Sequence, residues 1–445
     1  MKKHTFKPGG IHPDENKLTA DYPIVRLPLP ASVVLPLGQN LGAPSVPVVK
    51  AGDHVVRHQM VAEAGGFVSV PLHTPISGRV VKIDKCKTPQ GMPADAIFIQ
   101  SDEEDRISDA ESLRAPASPR SSEEIAALSA ERIKEIIREA GIVGLGGAAF
   151  PTHVKLSPPA GMTPELIIIN GSECETRLTC DDAIMRACPM EIVEGTRLLM
   201  RAAGVGRGVI AVEDNKPEAI AALSDVVKDM PDIEVMTLVT KYPQGGEKQL
   251  IKAVTGREVP SGALPVSTGA IVQNVATALA VQRAVVYGEP LTDRVITLRT
   301  SDRTGNFRVS VGTIMSEVTG EISDRVRKIL VGGTMMGKAA VTIDTPIVKG
   351  TSGIMFLGEE HANRPAMYPC VRCGACVDAC PMGLEPYLLS TLSRLRRFED
   401  AAEQKIANCI ECGSCSWACP SGRPVLDFIR IGKAAAIAAA RNRKG

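Results

Sequence analysis

Two cysteine runs near the end of the chain limit what it can fold into. They read Cys370-x2-Cys373-x2-Cys376-x3-Cys380-Pro381 and Cys409-x2-Cys412-x2-Cys415-x3-Cys419-Pro420, and they hold eight of the twelve cysteines. Thiolates are the soft ligands that iron–sulfur clusters require, and the short spacers let one loop reach three corners of a cubane. In this spacing the fourth cysteine reaches across to the other cluster. The expected sets are therefore Cys370, Cys373, Cys376 and Cys419 for one [4Fe–4S] cluster, and Cys409, Cys412, Cys415 and Cys380 for the other. A zinc site predicts CxxC pairs or mixed Cys/His ligands instead. A disulfide framework is foreign to a chain this long with so few other cysteines. Cys86, Cys174, Cys180 and Cys188 have no metal-site spacing and read as small buried hydrophobes, Cys174 lying in a candidate ligand loop.

A length of 445 residues points to two to four domains, and 44% apolar residues suffice for a sizeable core. With a net charge of +1 and only 3% aromatic residues, neither a basic field nor stacking platforms for nucleic acid are expected. The start, Met1-Lys2-Lys3-His4, has no apolar stretch behind it, and no apolar run reaches the length of a membrane span. The expectation is a soluble chain in a reducing compartment, with a peripheral place on a membrane assembly left open.

Prolines at 8, 13, 23, 28, 30 and 36 exclude long helix from residues 1–35. Alternating and β-branched residues from 46 to 83 predict a small β domain at about 40–85 within an N-terminal region 1–100. Its order of turns resembles the barrel-sandwich (lipoyl-like) fold. No lysine stands near Gly65-Gly66-Phe67, where a carrier domain would have one, so a structural module is expected. Residues 101–123 read as an acidic linker, and Glu123–Ala140 as a helix capped by Ser121 or Ser122. Strand Leu166–Ile169, helix 183–203, strand Val205–Val212, helix Glu218–Lys228 and strand Ile233–Leu238 then alternate, predicting a mostly parallel α/β domain over 121–285. Strands around Gly305-Asn306 suggest a β-grasp-like module at 290–355, with 332–357 as a connector into the cluster domain at 360–432. An alanine-rich helix follows Pro420 and ends in a basic tail, 433–445.

Glycine-marked loops carry the remaining chemistry. Gly144, Gly146, Gly147 and Ala148 precede Lys155; such a loop can turn amides toward a phosphate, with Lys155 adding charge for a phosphate or flavin. A tight turn beside a surface lysine fits the same residues. Asn170 and Glu173–Glu175 end the first strand, where α/β folds place ligands. Gly245, Gly246 and Glu247 mark a second loop running into a helix. Val272–Thr277 reads as helix, with Asn274 and Thr277 either facing the same pocket or capping and packing.

Together the strings GGIHP (9–13), GLGGAAFPTHVKL (144–156), IINGSECE (168–175), YPQGGEKQLI (242–251), GREVPSG (256–262) and the cysteine runs resemble the RnfC component of the Rnf (Rsx) electron transport complex. That family is related to the flavin subunit of respiratory complex I. The resemblance covers essentially the whole chain. It implies a multidomain α+β fold: a barrel-sandwich hybrid, a complex I flavin-type α/β domain, a soluble-ligand-binding β-grasp module and an α-helical ferredoxin-like domain with two [4Fe–4S] clusters. It implies non-covalent FMN, with NAD(H) as substrate. Gly144, Gly146, Gly147 and Ala148 would line flavin and nucleotide, Lys155 and Asn170 contact FMN, and Gly245, Gly246 and Glu247 form the second glycine loop. Asn274 and Thr277 would lie over the FMN phosphate, and Glu173 and Glu175 near the reacting rings as catalytic residues. The implied activity is ion-translocating ferredoxin:NAD+ oxidoreduction, coupled to Na+ or H+ transport. The implied partners are the membrane and peripheral subunits of the Rnf complex, including the ferredoxin-like RnfB, and ferredoxin itself, at the cytoplasmic face of the membrane. Thr176 and Ala149 depart from the family pattern, where a proline and, commonly, a glycine or a larger or hydroxylated residue stand. Competing expectations are an electron relay without a working flavin site, a scaffold, and a diaphorase component of a soluble hydrogenase or formate dehydrogenase.

Overall fold

The computed structural model describes residues 3–103 and 118–442. Most of the predicted acidic linker, and the last three residues of the basic tail, lie outside the described residues.

The N-terminal β domain is wider than its periodicity suggested. One sheet runs Ser32–Pro36, Pro93–Ser101, Gly78–Lys87, His54–Val55; a second pairs Val46–Pro47, Met60–Glu63 and Leu72–His73. The sandwich therefore runs from Ser32 to Ser101, because its outer strands pair across the sequence, Val33 with Ile99 and Leu35 with Ile97. These residues pack with Val55, Val61, Leu72, Ile76 and Val80. Prolines around residues 28–36 hid the first strand from a local reading.

In the α/β domain four parallel strands lie in the order Ile233–Leu238, Gly208–Glu213, Leu166–Gly171, Ala270–Asn274. Leu166–Gly171 is central and buried on both faces, which is why it reads as an unbroken apolar run. Ile167 and Ile169 face one core with the helices Pro189–Ala203 and Val275–Tyr287. Leu166 and Ile168 face a second core that includes Leu250 and Ile251. The predicted helix 123–140 is two helices, Ser122–Ala127 and Ala130–Glu139, because Ser129 accepts from Arg132 N and caps a fresh start. Helix 183–203 likewise divides into Cys180–Ala187 and Pro189–Ala203, since a residue before proline leaves the helical region. Val272–Asn274 is not helix but the end of a strand; the helix begins at Val275, with the Asn274 side chain accepting from Ala276 N.

The third domain is a β-grasp-like sheet of six strands. A hairpin of Asp293–Arg299 and Thr304–Ser310 is flanked by Gly353–Leu357, parallel to the first strand, and then by Lys328–Val331 and Lys338–Ala340. The helix Met315–Thr319 covers this sheet. Gly305 and Asn306 lie within the hairpin's second strand, not at its turn. Residues 332–357 supply two strands rather than a simple connector, because Gly353–Leu357 fills the middle of the sheet. The opposite edge is closed by Ile24–Arg26, parallel to Thr304–Ser310.

The cysteine domain repeats itself in backbone as in sequence. Arg372 and Glu411, each two residues after a run's first cysteine, have positive φ, and so do Gly374 and Gly413. Each glycine opens a four-residue helix, Ala375–Asp378 or Ser414–Trp417. Pro386–Arg394 and Val425–Asn442 pack around the two halves, with Leu389, Leu392 and Ile429 in the shared core. The last helix crosses the boundary expected at 432 without a break.

Candidate functional site

The two cysteine sets assemble crosswise. One cavity is lined by Cys380, Cys409, Cys412 and Cys415, the other by Cys370, Cys373, Cys376 and Cys419. The first set is enclosed by Leu384, Leu389, Leu426 and Ile429, and burial pushes the Cys409 thiol up to about 11 and Cys415 higher still. Thiols held this way in an apolar pocket ionise on binding metal. In the second set Cys370 and Cys373 are exposed. Four sulfurs around each cavity and no competing histidine in either lining suit iron–sulfur clusters.

At the C-terminal edge of the parallel sheet, Asn170 and Asn274 stand side by side on neighbouring strands. Asn170 Nδ2 donates to Gly245 O at 2.9 Å, joining the first strand to the second glycine loop. A Cβ on Gly245 would meet Cys174 Sγ at 3.2 Å and Ser172 Cβ at 3.3 Å, so glycine lets the loop lie close against this edge. Lys155 Nζ donates to Glu247 Oε1 at 2.7 Å and to Val272 O at 3.1 Å. The first glycine loop closes through Gly144 N to Phe150 O, and Leu145 N donates to Thr277 Oγ1 at 2.9 Å. Gly146 lies over Asn274, Ala148 is exposed, and Gly147, at φ +114°, borders open space. Ser172 Oγ, Gln244 Nε2 and both amide ends of Gln273 are buried with no hydrogen-bond partner among the described residues. Unpaired buried polar atoms are costly, and a polar ligand would satisfy them. Ser172, against Gly245 of the second glycine loop, therefore joins the candidate ligand-binding residues, marked in sequence only by its place after a strand end; the Gln244 amide oxygen instead accepts from Thr5 Oγ1 at 2.9 Å.

The carboxylates of Glu173 and Glu175 are both engaged by backbone amides. Glu173, at φ +46°, accepts from Asp181 N at 2.7 Å and Asp182 N at 3.3 Å, capping the helix Cys180–Ala187. Glu175 accepts from Met335 N and Met336 N, and Thr176 meets Thr334 side chain to side chain. Burial raises the Glu175 carboxyl against those two amides. Lys17 lies beneath this loop, in a segment that reads as irregular. Its ammonium donates to the carbonyls of Glu173, Glu175 and Leu178 at 2.7, 2.9 and 2.6 Å. Burial, then the charge of Glu173, raises Asp181 to about 7 and Asp182 to about 6. Asn274 Nδ2 donates to Asp181 at 2.6 Å.

The flavin-side loop touches the cysteine domain directly. Tyr242 Oη donates to Cys412 O at 2.7 Å, and Gln249 Nε2 donates to Pro381 O at 3.3 Å. The N-terminal strap lies alongside: Gly10 N donates to Ala379 O, and Ile11 bridges to Tyr242.

These parts define an electron-transfer protein with an FMN-binding domain and a [4Fe–4S] dicluster domain. Residues 137–283 match the Nuo51 FMN-binding domain, residues 369–423 a 4Fe-4S dicluster domain, and residues 4–104 the RnfC barrel sandwich hybrid domain. The chain is 40% identical to the RnfC-type component of the Na(+)-translocating ferredoxin:NAD(+) oxidoreductase complex of Acetobacterium woodii, over 100% of this chain and 99% of that one. It is 41% identical to the counterpart in the proton-translocating complex of Clostridium ljungdahlii, over 89% and 86% of the two chains. It belongs to the RnfC family of Rnf complex subunits. The fold is also shared with NAD+-reducing [NiFe]-hydrogenase in the air-oxidized state, at a TM-score of 0.50, 17% identity and coverage of 72% and 69%. Among the described residues no helix is long and apolar enough to cross a membrane.

Proposed function

We propose that this chain is the peripheral redox component of an ion-translocating ferredoxin:NAD+ oxidoreductase, exchanging electrons between NADH/NAD+ at FMN and two [4Fe–4S] clusters. The contact of Tyr242 and Gln249 with the backbone around Cys412 and Pro381, at the set of Cys380, Cys409, Cys412 and Cys415, is the observation that carries this reading, because it joins the flavin-side loop to a cluster pocket. FMN, when bound, supplies the conversion between paired and single electrons that nicotinamide and cubane chemistry require.

Lys155, Asn170, Gly245, Gly246, Glu247, Asn274 and Thr277 hold the flavin in this proposal, with Ser172. Gly144, Gly146 and Gly147, with no side chain, and Ala148, with only a methyl group, let the backbone come close to the nucleotide. Glu173 and Glu175 act through the loop they hold, Glu173 by capping a helix and Glu175 by fixing the approach to the cluster domain. The set Cys380, Cys409, Cys412 and Cys415 is the inner cluster site, next to Tyr242. The set Cys370, Cys373, Cys376 and Cys419 is the outer one, where exposed thiols suit exchange with a partner such as the ferredoxin-like RnfB. In this reading the chain sits on the cytoplasmic face of the membrane.

Anaerobic reconstitution tests the reading, with iron, sulfide and FMN assayed before NADH is added. Flavin bleaching followed by a cluster EPR signal is expected. Protein that takes up iron but neither flavin nor electrons from NADH would be a relay, and the dehydrogenase reading would fall.

A further inference from the structure

The loop of residues 172–178 links the second glycine loop to the inner cysteine set, and Cys174 touches both. Its Sγ lies 3.2 Å from where a Cβ on Gly245 would stand. Together with Met335 it also packs against an apolar cluster of Ile11, Tyr242, Ala379 and Cys412. Glu175 holds the Met335 amide, and Met335 O is 3.6 Å from where a Cβ on Gly413, in the second cysteine run, would stand. Two residues of this loop that are not glycine, Glu173 and Arg177, have positive φ, +46° and +69°. Such backbone persists only where its surroundings enforce it. Two lysines from distant segments do so. Lys216 Nζ donates to Ser172 O at 2.7 Å, and Lys17 Nζ donates to the carbonyls of Glu173, Glu175 and Leu178. The N-terminal strap runs on beside the loop: Arg177 N donates to Glu15 O at 2.8 Å, and Thr19 meets Thr179 side chain to side chain.

We infer that Lys17 is a positioning residue for electron transfer between the flavin and the inner cluster, an internal cation that fixes the loop through which the two sites meet. Lys17 as a whole is half-buried, with its ammonium turned inward onto the loop. Three accepting carbonyls require three hydrogens, and a lysine carries three only as the ammonium. Burial lowers its pKa, the Glu173 carboxylate opposes that shift, and bonds made to the charged form keep the proton in place. One charge thus gathers carbonyls from both ends of the loop, and without it the positive-φ backbone at Glu173 and Arg177 loses its clamp. A fixed positive charge also favours the reduced, more negative state of a redox group beside it. The inference rests on the flavin reading proposed above.

The test compares the full chain, carrying FMN and both clusters, with its Lys17→Met variant. Flavin bleaching and cluster reduction are followed separately after rapid anaerobic mixing with NADH, and the flavin midpoint potential is measured by spectropotentiometry. In the variant, cluster reduction is expected to slow about tenfold or more relative to flavin bleaching. The preference of the site for reduced over oxidised FMN is expected to fall about tenfold, or about 30 mV for a two-electron couple. A loss of stability alone moves neither quantity in protein that stays folded. Should Lys17→Met not fold, Lys17→Gln, which keeps a donor without the charge, decides by the same two readouts. Full FMN and iron content with a wild-type rate ratio or a wild-type midpoint overturns the inference and leaves the flavin reading standing. Wild-type protein that takes up no FMN overturns that reading, and the inference with it.

Discussion

Tyr242 donates its phenolic hydrogen to the backbone carbonyl of Cys412 across 2.7 Å, from the flavin-side loop to the loop of the inner cysteine set. The ring is 2% exposed, and burial raises the phenol's pKa, so it stays a neutral donor. Tyr242→Phe leaves that carbonyl unpaired in the interior, a loss of about 1–2 kcal/mol. Denaturant unfolding should show a lower midpoint at unchanged iron and flavin content. An unaltered midpoint would mean the bond contributes nothing to the junction.

Gly9 passes so close to Cys380 that an added Cβ would sit 2.3 Å from its carbonyl oxygen, and the glycine has φ +72°. Both facts exclude a side chain without movement of Cys380. Gly9→Ala is expected to cost about half the iron, the share held by the inner set, while the outer set keeps its EPR signal. Full iron content in this variant would show that the strap yields freely.

The crosswise arrangement gives opposite outcomes for the two fourth cysteines. Cys380→Ser should abolish the signal of the cluster held by Cys409, Cys412 and Cys415, and Cys419→Ser that of the other. Damage confined in each case to the run carrying the substitution would refute the crossed ligand sets.

Lys155 ties the first loop's helix to Glu247 and to the strand that ends at Asn274. Lys155→Met removes the cation from the candidate phosphate site. FMN affinity should fall by roughly tenfold or more, about 1.4 kcal/mol, in equilibrium dialysis, with iron content unchanged.

Asp181, Asp182 and Glu213 have carboxyls raised by burial to about 7, 6 and 7. A carboxyl raised in the folded state binds its proton more tightly there than in the unfolded chain. Its contribution to stability is complete below its unfolded value and lost as pH climbs through its folded one. For Asp181 that window runs from 3.8 to about 7. Asp181→Asn, neutral at every pH, should narrow the difference in unfolding midpoint between about pH 5.5 and about pH 8. An undiminished difference would assign the pH dependence to other groups.

The cysteine spacing alone specified two cluster loops, because three thiols so close in sequence have one productive way to wrap a cubane. The paired apolar strands and glycine loops likewise specified an α/β domain with a ligand edge. Local pattern misplaced what depends on partners far along the chain. Ser32–Pro36 is a strand only because Pro93–Ser101 pairs with it, and Gly353–Leu357 only because Asp293–Arg299 lies beside it. Lys17 belongs to no motif; burial against three carbonyls more than a hundred residues away gives it a role. Spacing named Glu173 and Glu175, yet their direction was set by Asp181 and Met335, whose amides claim the carboxylates. Sequence thus determined which groups with redox and ligand chemistry the chain carries. Tertiary structure decided which of them meet, because contacts between distant segments, and the burial that enforces them, have no local signature.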